Sequence, residues 1–322
     1  MSLVDEVKAI NKDYGLGAIG WLDEARAGME IESIPTGSLG LDAALQVGGV
    51  PKGRLTEIFG VDASGKTTLA LHLIANVQHS DGRATAFIDA EHALDPRYCE
   101  NLGVDLGKLL TAQPDNGEQA LEIAERLLRT GEVELIVIDS VASLVPKAEI
   151  EGKAGDSHVG LRARLMSQAC RKLIQPAKEA KTAVVFINQV RSSIGGYGGL
   201  VTPGGWGLKF AASTRIKLTQ TKGGKIQEGG EHVARRIQAT VVKNKVGAPY
   251  REAIFDVVYG KGILRERDLL IQGSLQKLVT RSGSWYSYGD ERLGQGLANC
   301  VETLQENPEL ANRLEGEIRE RF

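Results

Sequence analysis

Gly60-Val61-Asp62-Ala63-Ser64-Gly65-Lys66-Thr67 is the stretch whose reading decides the fold. It has the pattern G-x-x-x-x-G-K-[ST], in which glycines let backbone N–H groups wrap a chain of phosphates. Its flanks matter as much as the pattern. The apolar run Arg54–Phe59 ahead of it reads as a short strand, and Thr67–Val77 behind it as an apolar helix. A chance glycine-rich turn has no reason to carry both flanks. A strand feeding a glycine loop that opens a helix aims the partial positive charge of a helix N-terminus at the anion. Lys66 then reaches the β- and γ-phosphates, and the Thr67 hydroxyl is a ligand for Mg2+.

The alternation continues outward. Ala84–Asp89 reads as a strand, Gly117–Arg129 as an amphipathic helix ended by Gly131, and Leu135–Asp139 as an almost purely aliphatic strand buried on both faces. Leu161–Lys181 is helical, with Pro176 predicting a kink or a new first turn near Gln175, and Thr182–Asn188 is another buried strand. Strands alternating with helices predict an α/β fold, a mostly parallel sheet with helices on both faces. After Phe210 come Thr214–Leu218, Ile237–Val242 and Ala253–Val258 without intervening helices, an antiparallel extension of that sheet. A small α+β unit follows: a helix over Arg267–Val279, a hairpin at Ser284–Tyr288 turning at Gly289-Asp290, then a helical end. At the other end stand a short helix, Leu3–Asp13, and a glycine-punctuated connector, Gly15–Gly20. The expected domains are 1–33, 34–264 and 265–322.

Composition narrows the function classes. The chain has 322 residues, 42% hydrophobic and 25% charged, which excludes a disordered or collagen-like protein. No run of about 18 apolar residues occurs, and the charged start lacks an apolar signal core, so a membrane protein is excluded. Cys99, Cys170 and Cys300 have neither metal-ligand nor disulfide spacing, which suits a reducing cytoplasm. With a net charge of −2, any nucleic-acid site must be a local patch. The 39 glycines, well above the usual share of about 7%, point to loops where backbone approaches a ligand.

Three further polar residues sit at strand ends, where ligands of open parallel sheets bind. Asp139 closes Leu-Ile-Val-Ile and is the expected carboxylate beside the metal, although an aspartate there can also simply start a turn. Glu91, in Phe87-Ile-Asp-Ala-Glu91-His92, can face the γ-phosphate and orient the attacking water; alone it reads equally as an exposed turn glutamate. The Gln189 amide, after Val184–Asn188, can touch the γ-phosphate or begin a solvated loop.

Gly60–Thr68, Ile88–Pro96, Ile136–Ser140, Pro146–Ser157, Phe186–Arg191 and Val241–Pro249 occur in an order and spacing that resembles the bacterial RecA recombinase family, ATP-dependent DNA strand-exchange proteins. The most specific stretches are Ala90–Asp95, Lys147–Gly152, Gly155–His158 and Val242–Lys245, and the likeness runs from about Glu32 to Asn307. The resemblance implies a RecA-like phosphate-loop ATPase core binding ATP and Mg2+ through Gly60, Val61, Asp62, Ala63, Ser64, Gly65, Lys66, Thr67 and Thr68, with Thr67 and Asp139 at the metal, partly through water. It implies Glu91 as the water-activating carboxylate and Gln189 as the γ-phosphate sensor. Asp95 and Tyr98 would hold the adenine, with Tyr259 covering it from the next subunit, and Lys243 and Lys245 would reach the γ-phosphate across a subunit interface. Single-stranded DNA would lie along Gly152–Gly160 and Ser192–Gly207, with Arg164 and Arg171 on the helix beside the first; Arg191, Tyr197 and Trp206 are further candidate contacts read from these residues themselves. The implied partners are single-stranded DNA, homologous duplex DNA, further copies of the chain in a helical filament and a self-cleaving repressor.

The residues agree with that DNA face in part. Residues 151–191 hold eight Lys or Arg against three acids, and Gly195–Gly207 holds seven glycines with Tyr197 and Trp206 between them. Cations suit phosphates and aromatic faces suit bases, while a solvated helix face and a flexible loop are the plainer alternatives. Departures from the family are local: the second DNA segment is shorter, Gly204-Gly-Trp206 stands where the family reads Gly-Gly-Asn, and no carboxylate lies between Ile194 and Trp206. Val61-Asp62-Ala63 replaces Pro-Glu-Ser, and the N-terminal helix is abbreviated. They leave a second expectation, an ATP- and DNA-binding regulator without efficient strand exchange. A ring helicase or transport ATPase on the same core is opposed by the likeness beyond the core and by the lack of an LSGGQ segment.

Overall fold

A computed structural model describes residues 2–15, 18–21, 31–80, 82–153, 160–192 and 200–322. Tyr197 and much of both segments expected to line DNA, residues 154–159 and 193–199, lie outside the described residues. The chain separates into two units, Met1–Glu32 and Ser33–Phe322. The first holds helix α1 (Leu3–Tyr14), whose N-terminus is closed by a capping box: Ser2 Oγ accepts from Asp5 N at 3.2 Å, and Asp5 accepts from Ser2 N at 3.0 Å. None of its residues is buried, and Leu3 and Val4 stand exposed.

In the second unit, β1 (Ser33–Ile34), α2 (Leu39–Leu45) and β2 (Val50–Pro51) lead to β3 (Leu55–Gly60) and α3 (Lys66–His79). Next come β4 (Ala84–Asp89), α4 (Pro96–Asn101), β5 (Leu109–Ala112), α5 (Gly117–Thr130), β6 (Val133–Asp139), α6 (Lys147–Glu151), α7 (Leu161–Ala180) and β7 (Ala183–Gln189). The short pair β8 (Arg191–Ser192) and β9 (Leu200–Val201) precedes α8 (Gly205–Ala211), β10 (Thr214–Glu228), β11 (Glu231–Asn244) and β12 (Glu252–Val258). The chain ends with α9 (Arg265–Leu275), β13 (Val279–Ser282), β14 (Trp285–Tyr288), β15 (Glu291–Gln295), α10 (Gly296–Glu306) and α11 (Pro308–Glu320).

Eight strands form one sheet in the order β12-β11-β10-β3-β7-β6-β4-β5. From β10 to β5 all neighbours are parallel, and β11 and β12 add the antiparallel edge. The mixed α/β architecture is the one expected. Period-2 alternation explains its two cores: Leu135, Val137, Val185 and Ile187 face the cluster under α3, whereas Ile136, Ile138, Val184 and Phe186 face the cluster under α5 and α7.

Three expectations are corrected. The strands read as Thr214–Leu218 and Ile237–Val242 are the buried roots of a hairpin that continues to Glu228 and Glu231. The helix expected to reach Val279 stops at Leu275; Lys277 turns the chain at φ 60, and Val279 opens β13. Of the two alternatives at Pro176, the new first turn is excluded: helix α7 runs through it as one element to Ala180, since a single lost N–H is outweighed by the burial of Cys170, Leu173 and Ala177 on either side.

Polar contacts tie α9 to the N-terminus of α2 and to the sheet. Ser38 Oγ and Leu39 N donate to Asp268 at 3.1 and 2.7 Å, and Arg267 Nε and Arg236 Nε converge on Asp256 at 3.0 and 2.8 Å. On α3, His72 Nε2 accepts from Ile263 N at 2.8 Å, and burial pushes the imidazole pKa down to about 4. An unfolded His72 takes up a proton below about pH 6.5 that the folded one refuses until about pH 4, so its contribution is complete above 6.5 and is lost as pH falls. Asp268 and Asp42, pushed up by burial to about 7 and 6, act with the opposite sign. His72→Gln keeps an acceptor and leaves both aspartates in place. Urea unfolding at pH 4.5 and 7 should therefore give a pH dependence differing from the parent by roughly 1–3 kcal/mol, the variant losing less on acidification.

Candidate nucleotide site and nucleic-acid face

The parallel strands deliver their polar ends to one edge. In register, Gly60 faces Gln189 and Asp89 faces Asp139. The loop after β3 is pressed against the sheet: a Cβ at Gly60 would lie 2.3 Å from the Leu218 carbonyl oxygen and 2.7 Å from Ser64 Oγ. Lys66 opens α3 and donates to the Val61 carbonyl at 2.9 Å. Burial lowers its pKa, while Asp62, Asp139 and Glu91 oppose that shift. Thr67 Oγ1 donates to Asp139 Oδ2 at 2.8 Å, and burial raises the Asp139 pKa to about 6 despite that bond.

Glu91 is held at the end of a turn built on Asp89, whose carboxylate accepts from Ala93 N at 3.2 Å and Leu94 N at 3.1 Å. Its Oε1 accepts from Ser140 Oγ, from Gln189 Nε2 at 3.2 Å and from Ser143 Oγ at 3.4 Å. Glu91 and Gln189, two of the three strand-end residues singled out in the sequence, therefore touch. Ser140 and Ser143, which orient Glu91, carried no signal of their own because the pairing spans about fifty residues.

Two aromatic residues stand near the loop. Tyr98 Oη shares a hydrogen bond of 2.8 Å with Thr68 Oγ1, and Asp95 caps α4 by accepting from Arg97 N at 2.9 Å. Tyr259 follows β12 directly, where Val257 pairs with Arg235, and Arg235 donates to the Ala63 carbonyl at 3.1 Å. This sets Tyr259 beside Arg235, whose guanidinium lies 6.0 Å from its ring centre, on the loop side of its own chain.

Lys243 and Lys245 are at the opposite end of the sheet. Lys243 pairs with Arg215 and Arg215 with Glu57, three residues before Gly60, which is about 10 Å of strand. Lys243 Nζ donates to the carbonyls of Lys209 at 2.6 Å and Phe210 at 3.0 Å, and Lys245 Nζ to Phe210 at 3.3 Å, so both cap the C-terminus of α8.

Helix α8 packs closely on α7 because Gly207 has no side chain: a Cβ there would meet Ser167 Oγ at 2.4 Å. Trp206, expected within a loop, occupies the first turn of α8 and is 67% exposed, stacked on the exposed Phe210 at 5.6 Å with Lys209 Nζ 4.9 Å from its ring centre. Arg164 and Arg171 lie exposed on α7, seven residues apart and hence on one face, and Arg191 is exposed on β8.

A parallel sheet, a glycine loop opening a helix, a hydroxyl joined to a strand-end aspartate and a carboxylate above them define an ATPase of the phosphate-loop class. Residues 2–264 match the RecA N-terminal domain and residues 268–322 the RecA C-terminal domain. The chain is 55% identical to Protein RecA of Caldanaerobacter subterraneus subsp. tengcongensis over 98% of its own length and 92% of the relative's. It is 52% identical to Protein RecA of Rubrobacter xylanophilus over 98% and 91%, and 51% identical to that of Halalkalibacterium halodurans over 98% and 90%. The chain belongs to the RecA family. Among the described residues no helix is long and apolar enough to cross a membrane.

With Lys66 in the loop and Glu91 at a separate strand end, binding and turnover should separate. Lys66→Ala should abolish nucleotide binding in a titration, because the charge on the phosphates goes. Glu91→Gln should bind nucleotide as tightly as the parent while phosphate release slows about 10²–10⁴-fold. Full turnover by Glu91→Gln excludes Glu91 as the water-orienting group.

Proposed function

We propose that this chain is an ATP-dependent DNA recombinase that assembles into a filament on single-stranded DNA, pairs it with homologous duplex in recombinational repair, and hydrolyses ATP to release the product. Family membership over nearly the whole chain supports the recombinase role, and the contact between Glu91 and Gln189 beside the phosphate loop carries the hydrolytic part. That intact pair, with Lys66, Thr67 and Asp139, argues against a regulator without turnover. The chemistry requires a cytoplasmic setting where ATP and chromosomal DNA meet. Stimulated self-cleavage of a repressor by the filament belongs to the same proposal and rests on family membership.

In this reading the loop N–H groups and Lys66 take the triphosphate, and the orphaned, buried Ser64 hydroxyl gains a partner there. Thr67 and Asp139, already joined by a hydrogen bond, would hold Mg2+, which would supply neutralisation of the phosphate charge. Asp95, Tyr98 and Tyr259 border the space for the base. Glu91 takes the proton of a water attacking the γ-phosphorus, the bond to the ADP oxygen breaks, and phosphate leaves. Gln189, bonded to Glu91, loses or gains its γ-phosphate contact in the same event, and the strand carrying it continues into Arg191 and the DNA segment.

Lys243 and Lys245 are too far from their own loop to serve it, which supports their acting on a neighbour's γ-phosphate. Cations supplied this way are worth roughly 10³–10⁵ in rate. Mixed filaments of Lys66→Ala and Lys243→Ala subunits should regain DNA-dependent ATPase activity, since some junctions combine an intact loop with intact lysines. No rescue at any ratio in filaments verified as mixed rules out the shared site.

For DNA, Trp206 with Phe210 offers a stacking surface, and Arg164, Arg171 and Arg191 offer phosphate contacts. Stacking is worth about 1–3 kcal/mol per base and is insensitive to salt, whereas each phosphate contact adds roughly 0.7 to the single-strand salt slope. Trp206→Ala should weaken oligonucleotide binding at unchanged slope, and Arg164→Ala should flatten the slope. Equal slopes for parent and Arg164→Ala remove that residue from the DNA face. ATP turnover with and without single strands, followed by strand exchange between a circle and a linear duplex, tests the function as a whole.

A further inference from the structure

Ala63 is at the exposed tip of the phosphate loop and has φ 55, a left-handed conformation that an alanine adopts only at a cost. Two donors from outside the loop converge on its carbonyl oxygen. Arg235 Nη1 lies at 3.1 Å and Gln220 Nε2 at 3.2 Å. Both come from the β10–β11 hairpin, near the place where its register skips between Gln220 and Lys225. The same guanidinium lies 6.0 Å from the ring centre of Tyr259, and Arg235 Nε is buried without a partner. The phosphate-binding pattern calls for neither residue, and both lie more than 150 positions beyond the loop.

We propose that Arg235 and Gln220 are positioning residues for the triphosphate, fixing the Ala63–Ser64 peptide so that the Ser64 N–H faces the phosphates. The carbonyl and N–H of a trans peptide point in opposite directions, so anchoring the Ala63 oxygen towards the hairpin turns the Ser64 N–H the other way, into the loop. A cation on that oxygen also polarises the peptide and strengthens its N–H as a donor. The two hydrogen bonds hold Ala63 in its left-handed state before any ligand arrives, so less ordering remains to be done on binding. Because the bonded atoms belong to the backbone of the phosphate cradle, the effect is on the phosphates and independent of the base.

The inference rests on the nucleotide reading above, and the experiment separates the two. Affinities for Mg-ATP and for Mg-tripolyphosphate, which has no base, are measured on the full chain and on Arg235→Ala, Arg235→Lys, Gln220→Ala and Lys66→Ala, with melting temperatures of each protein free of ligand. Arg235→Ala should weaken both ligands by the same factor, about tenfold, and Gln220→Ala both by about threefold. Arg235→Lys should recover part of the loss for both, since an ammonium can still donate to the carbonyl. A loss confined to ATP overturns the proposal and assigns Arg235 to the base through Tyr259. Unchanged affinities with a lowered melting temperature overturn it too, leaving the two side chains as anchors of the hairpin. If Lys66→Ala loses both ligands while the hairpin variants keep them, only this proposal falls; if Lys66→Ala binds ATP normally, the nucleotide reading itself falls.

Discussion

The in-register parallel pairing of β3, β7, β6 and β4 is the constraint on which the site depends. Gly60 opposite Gln189 and Asp89 opposite Asp139 bring four chain segments to one edge without any contact among their polar side chains being needed to assemble them. The register is enforced from below. Residues of these strands alternate between two apolar cores, so a slip of one position would exchange Ile136 and Ile138 for Leu135 and Val137 on every contact surface. Each such side chain contributes about 1.5–3 kcal/mol on burial, far more than the hydrogen bonds above them.

What could be read in the sequence follows from that hierarchy. Strands buried on both faces announce themselves as aliphatic runs, and the phosphate loop is contiguous, so the core and the loop with Lys66 and Thr67 were legible. The strand-end residues Asp139 and Glu91 read equally as turn residues until the family resemblance gave them roles. The outer half of the β10–β11 hairpin was not legible, because Thr219–Glu228 has no hydrophobic alternation to mark a strand and Gly223-Gly224 interrupts it. The end of α9 was misjudged for a related reason: Val279 continues the apolar spacing of the helix, yet it packs over Gly273, where a Cβ would meet its Cγ2 at 2.7 Å, and belongs to the returning strand. Ser140, Ser143, Gln220 and Arg235 act on partners far away in the chain, and no local pattern marks such pairs.

Inside the sheet, one buried polar chain joins its two ends. Arg215 donates to Glu57 at 2.5 Å, Asn188 Nδ2 donates to the other Glu57 oxygen at 2.9 Å and to the Pro203 carbonyl at 3.1 Å, and Asn188 Oδ1 accepts from Gln189 N at 3.0 Å. Glu57 is fully buried, so its charge must be met by these partners. The arrangement fixes Gln189 from behind and ties it to the segment entering α8. The same Arg215 neighbours Lys243 in the sheet and lowers its pKa, as does Lys245, after the larger effect of burial.

The two ends of the sheet thus carry unlike chemistry: anion-binding backbone, Glu91 and Gln189 at one, and Lys243 and Lys245 at the other. Unlike surfaces on one chain favour a heterologous, head-to-tail contact over a two-fold one, and such contacts continue indefinitely when the rotation between copies does not close a ring. At present the lysines rest on the carbonyls of Lys209 and Phe210 at the end of α8, the helix whose other end carries Trp206. An ammonium that leaves those carbonyls for a neighbour's phosphate uncaps α8, and one that stays leaves the phosphate uncompensated. On the proposed reading, nucleotide at one junction and the aromatic surface for DNA therefore draw on the same pair of cations, which makes assembly, turnover and DNA binding properties of the filament and not of the single chain.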